Sequence, residues 1–166
     1  MLSHTPERAA YLRSFIFGVE DSLVSTVGLL SGIAIAGLSS REIFITGVVL
    51  IFVEAISMAA GNFLSEASVE EYETRRTKTS RKTYVAGLIM FLSYFASGFI
   101  PLAPYLFLPS SVAFATSIIL SLGALLLLGY ISTGISHTRR LPGMVRMGLV
   151  GGLAIVVGVL VGGLVS

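Results

Sequence analysis

Apolar residues in this chain run rather than alternate. Five runs, 15–38, 43–64, 84–107, 111–135 and 145–165, are apolar almost throughout and are separated by short polar breaks. A helix crosses the hydrocarbon core of a bilayer with about 20 such residues, so the pattern predicts five transmembrane helices. The third and fourth runs carry no charge. The third ends in "PLAPYLFLP", where Pro101, Pro104 and Pro109 are expected to bend and then stop the helix. The fifth, "MGLVGGLAIVVGVLVGG", is rich in glycine, which suits close approach of helices better than contact with lipid.

Composition agrees with the pattern. Of the 166 residues 54% are hydrophobic and only 12% charged, against about 25% charged in soluble domains, and the mean hydropathy is +0.90. The fold class expected is an all-α integral membrane protein, one five-helix domain over 1–166. Absence of cysteine excludes disulfides, iron–sulfur clusters and thiolate metal sites. Absence of tryptophan leaves tyrosine to supply any aromatic belt. "MLSHTPERAAYLR" lacks the basic, apolar, small-residue order of a cleavable signal, so the first run is expected to persist in the mature protein.

Charge sets the orientation. Arg8 and Arg13 precede the first run, Arg75, Arg76, Lys78, Arg81 and Lys82 follow the second, and Arg139, Arg140 and Arg146 follow the fourth. These ten share one side of a five-span protein, and Arg41 alone lies on the other. The positive-inside rule then places the N-terminus and both larger loops in the cytoplasm. So one-sided a bias argues against a dual-topology dimer, and any dimer is expected to be parallel. Eleven basic and nine acidic residues nearly cancel, and no nucleic-acid partner is expected. Short loops and no targeting extension favour a prokaryotic cytoplasmic membrane.

Catalysis finds little support. His4 and His137 lie far apart in polar regions, and no HExxH, nucleophile elbow or phosphate loop appears. The acids are the signal, because an ionised carboxylate in hydrocarbon is expensive unless partnered. Asp21, Ser25, Gly28 and Gly32 follow one another along one face of the first helix, keeping it small and polar. Glu54, Met58 and Asn62 form a ladder at steps of four along the second. Glu54 has eleven residues of its run before it and ten after, with no Lys, Arg or His at matching depth. It is therefore either protonated or partnered by a cation from outside the chain. Asp21 also reads as an interfacial cap, Met58 as ordinary packing, and Glu20 as interfacial. Taken together, carboxylate oxygens with a thioether suit a borderline divalent metal such as Fe2+ better than Mg2+ or Ca2+. Beyond the second run, Glu66, Glu70 and Glu73 share a face, with Glu71 beside them. They read either as a solvated helix end or as a cation-gathering cluster near a pore mouth.

These stretches resemble a family. "FIFGVEDSLVSTVGLLSGIAIAG" is similar to the first helix of vacuolar iron transporters, with its G-x-x-D-G-[LI]-V-[ST] core, and "AISMAAGNFLS" to their second-helix motif. "ASGFIPLAPYLF", "LLLLGYISTGIS" and the glycine-rich fifth run follow in order. The resemblance implies a parallel homodimer of five-helix protomers. It would export Fe2+, or Mn2+, from the cytosol in exchange for protons, along a path between the two first helices. Asp21 and Met58 carry over as metal ligands, whereas Glu54 rests on depth and spacing alone. Ser22 and Asn62 depart from the motifs, the latter replacing an acid. Only the 18 residues 66–83 stand where many members hold a metal-binding insert.

The function expected is a transporter of Fe2+ and/or Mn2+, with no permanently bound cofactor. Asp21, Met58 and Glu54 would hold the metal, Ser25, Gly28 and Asn62 line the path, and Glu66, Glu70 and Glu73 gather cations. The rival is a non-transporting membrane anchor or assembly partner built on the same fold.

Overall fold

The computed structural model describes residues 6–75, 77, 79–136 and 138–165. Arg76, Lys78, His4 and His137 lie outside them. The described chain is helical: α1 (Pro6–Ile35), α2 (Ser40–Thr74), α3 (Arg81–Phe107), α4 (Ser110–Ile135) and α5 (Arg140–Val165). All five are long and apolar enough to cross a membrane. At about 1.5 Å per residue even the shortest exceeds the ~30 Å hydrocarbon core. This is a multi-pass membrane protein.

Local chemistry sets the helix ends. α1 stops in a Schellman arrangement: Gly37 takes a φ of +89°, and the Leu38 and Gly37 amides donate back to the carbonyls of Ile33 and Ala34. Only glycine adopts that backbone without a steric penalty. α2 opens with a capping box, Ser39 and Glu42 each bonding the other's amide. It then runs past the end of its apolar stretch to Thr74, so Glu66, Glu70 and Glu73 are helical. Pro101 and Pro104 lie inside α3, which continues to Phe107, while Pro109 is the N-cap of α4.

α1 is the hub. It packs closely on α3 and α5, less on α4 and least on α2, while α2 leans chiefly on α3. Small residues permit these approaches. A methyl group on Gly18 would meet Ser93 and Met90 of α3, and one on Gly98 would meet Ile51 and Ser22. The buried apolar residues fall into two clusters. Leu30, Ile43, Ile51, Leu102, Tyr105 and Ala113 join α1 to α4 through α2 and α3, and Leu23, Leu125, Leu128 and Met147 join α1, α4 and α5. The outward faces of α2 (Val49, Phe52, Val53, Ile56) and α5 (Leu153, Val156, Leu160) stay exposed, as lipid-facing helices require.

Candidate functional site

α1 runs inward from the end of the bundle that holds the α2–α3 and α4–α5 loops, here the basic end, and α2 runs back towards it. Residues four apart on each helix therefore meet in matched steps. At the outermost step the guanidinium of Arg13 pairs with the carboxylate of Glu66. Next, the Asn62 amide donates to Ser14 Oγ at 3.1 Å. Phe17 and Met58 follow, lining one cavity of about 710 Å³ together with Gly61, Asn62, Glu66 and Lys82. Deeper again, Asp21 and Glu54 lie close enough for their charges to interact. Asp21 is about 12 Å further along α1 than Arg13.

Neither Asp21 nor Glu54 has a hydrogen-bond or ion-pair partner among the described residues. Two neighbouring acids without a counter-charge, on membrane-length helices, are an arrangement a cation stabilises. Glu20 lies within Coulomb range of Arg146 on α5 as well as of Asp21.

One residue that the sequence reading missed joins them. Tyr94 of α3 is fully buried. Its hydroxyl lies 2.7 Å from that of Ser25 and within Coulomb range of both Asp21 and Glu54. Ser22 fixes this approach by donating to the Tyr94 carbonyl at 2.7 Å. A lone tyrosine in an apolar run reads as packing, and nothing in the sequence alone pairs it with Ser25.

Of the other sequence-predicted positions, Glu66 stays at the outer end of this ladder, whereas Gly28, Glu70 and Glu73 lie elsewhere. Gly28 is buried against α5, where an added methyl would lie 3.2 Å from the Ala154 carbonyl. With Ser25 and Gly32 it also lines an apolar groove between α1 and α5. Glu66 sits beside Lys82 (3.7 Å) as well as Arg13. Glu70 accepts from the Ser80 amide and the Thr83 hydroxyl, both at 3.0 Å. Glu73 is exposed near the end of α2. Among the described residues no three His, Cys, Asp or Glu side chains converge as a ready metal site. One protomer thus offers two carboxylates, with a thioether one turn away on α2.

Fold and site together define a membrane protein with five span-length helices and with polar and acidic groups along the first two. The chain belongs to the VIT family, which it matches over residues 12–85 and 69–163. It is 22% identical to vacuolar iron transporter 1 of Tulipa gesneriana, over 86% of this chain and 82% of that protein. With vacuolar iron transporter 1 of Arabidopsis thaliana it shares 21% identity, over 93% and 87%. It is 36% identical to vacuolar iron transporter 2 of Oryza sativa subsp. japonica over 54% of this chain, a match that spans only 34% of the rice protein. The tulip and Arabidopsis alignments run over 203 and 218 positions, more than the chain's 166 residues, so those relatives hold residues this chain lacks.

Proposed function

We propose that this protein is a homodimeric transporter that moves Fe2+ and/or Mn2+ out of the cytosol in exchange for protons. The observation that carries this reading is the pair Asp21 and Glu54, unpartnered among the described residues, with Met58 one turn from Glu54. Hard carboxylate oxygens with one softer thioether suit a borderline divalent ion. The relatives described above are all vacuolar iron transporters, which supports the same cargo.

A second copy supplies what one protomer lacks. Two carboxylates leave a metal underligated, and a parallel partner placing its α1 beside this one doubles Asp21, Glu54 and Met58. α2 and α5 flank α1 without substantial packing between them, which leaves α1 approachable on that side. Ser25 and Asn62 line the path, and Gly28 supports it by seating α1 on α5. Ten basic residues at one end against Arg41 at the other favour a cytoplasmic N-terminus, in the cell membrane of a prokaryote. Each metal ion leaving the cytosol is exchanged for protons entering, and Glu54 serves as ligand or proton carrier.

The rival, a non-transporting anchor, draws on the engagement of Asn62 by Ser14 and of Glu66 by Arg13. Uptake by acid-loaded proteoliposomes, compared for Fe2+, Mn2+ and Mg2+, separates the two. Transport predicts uptake of Fe2+ or Mn2+ in preference to Mg2+; an anchor moves none of them.

A further inference from the structure

The cavity between α1 and α2 has the wrong charge for a cation path. Among the described residues its charged lining is one carboxylate, Glu66, and two cations, Arg13 and Lys82. The sum is +1, which repels a divalent ion at the place where such an ion would have to pass.

The three residues come from three helices and differ in access. The Glu66 side chain is 8% exposed, that of Arg13 66%, and that of Lys82 31%. A carboxylate buried so far needs a counter-charge. Arginine does not give up its proton at any relevant pH, so it can leave Glu66 only by moving. With most of its side chain in solvent, Arg13 can swing away, whereas Glu66 cannot follow. Asn62 and Met58 continue from Glu66 at successive steps of four along α2, and both line the same cavity.

We propose that Glu66 is the first ligand a divalent transition-metal ion meets, and that Arg13 is a resident cation holding that place until the metal exchanges for it. The proposal rests on the reading that the chain moves divalent metal ions. Exchange keeps the buried carboxylate neutralised throughout. Lys82, at the looser distance of 3.7 Å, stays behind and weakens the hold on the metal, so that the ion passes on to Asn62 and Met58. A conducting site needs that balance between capture and release. Arg13, Glu66 and Lys82 are thus selectivity and gating groups, distinct from the deeper Asp21–Glu54 pair.

Loss of the free hexaaqua Mn2+ resonance on titration of purified, full-length protein measures binding directly. Arg13→Gln should bind Mn2+ about fivefold tighter or more, Arg13→Lys should match wild type, and Arg13→Gln/Glu66→Gln should lose the gain. In proteoliposomes Arg13→Gln should lower KM with little change in kcat. A monodisperse Arg13→Gln protein that binds Mn2+ no tighter than wild type overturns the proposal. So does a gain that survives in the double variant, because the metal then sits elsewhere. If wild type transports yet the Arg13 variants bind alike, the exchange is wrong and the transport reading stands. If wild type moves no metal while Arg13→Gln gains affinity through Glu66, the site stands and transport does not.

Discussion

The Tyr94 hydroxyl on α3 lies 2.7 Å from the Ser25 hydroxyl on α1, one helical turn beyond Asp21. Through that contact α3 delivers a buried phenol beside two acids contributed by α1 and α2. Tyr94→Phe should keep the fold, losing about 1 kcal/mol of stability for the missing hydrogen bond. Metal uptake should fall about tenfold, the rate equivalent of about 1.4 kcal/mol. Initial uptake rates and melting of the purified variant check this. An unchanged rate would place Tyr94 outside the path.

The α1–α5 seam admits no side chain at Gly158 or Gly162. A methyl on Gly158 would collide with the Gly28 carbonyl, and one on Gly162 with that of Gly32. Backbone cannot give way as a flexible side-chain end can. Gly158→Leu should therefore destabilise the detergent-solubilised protein by about 3 kcal/mol or more. Gly123→Ala is the control, since nothing lies within 4 Å of its added methyl, and it should leave the melting temperature unchanged or slightly raised.

Glu70 bridges α2 to the start of α3 by accepting from Ser80 N–H and Thr83 Oγ1. Glu70→Ala should release the Ser80 amide, which amide hydrogen exchange reads as lost protection there and through Thr83, in the absence of metal. Unchanged exchange would leave cation gathering as the better account of this carboxylate.

A parallel dimer with α1 beside α1 makes a geometric demand. The chain has no cysteine, so single cysteines report cleanly. Placed at the accessible or partly accessible α1 positions Phe17, Val24 and Leu29, at least one should form a symmetric crosslink in membranes. A cysteine at the lipid-facing Leu153 of α5 should not. Crosslinking at Leu153 and at none of the α1 positions would move the interface away from α1.

Much of this architecture was legible in the sequence, because a bilayer imposes one length and one solvent on every span. Five apolar runs became five helices for that reason. Glu54 could be singled out because its depth is a property of one helix. What escaped depends on which helices touch. Gly28 lies on the same stripe as Asp21, yet that stripe meets α2 near Asp21 and α5 at Gly28, and one helical wheel cannot show the change of neighbour. Tyr94 gains meaning only opposite Ser25. Glu66 looked like one of three equivalent acids until Arg13 and Lys82, 53 residues before and 16 after it, closed on it.

Metal uptake by acid-loaded proteoliposomes, read for wild type, Asp21→Ala, Glu54→Gln and Met58→Ala together, tests the central claim most directly. Wild type should accumulate Fe2+ or Mn2+ as protons leave the lumen. The Asp21 and Met58 variants should lose about tenfold or more of that rate while remaining monodisperse, a loss of at least ~1.4 kcal/mol of transition-state stabilisation. Glu54→Gln should lose the dependence on the pH gradient, the rate, or both. Wild-type vesicles that take up neither metal, or an Asp21→Ala protein that transports as fast as wild type, would contradict the account.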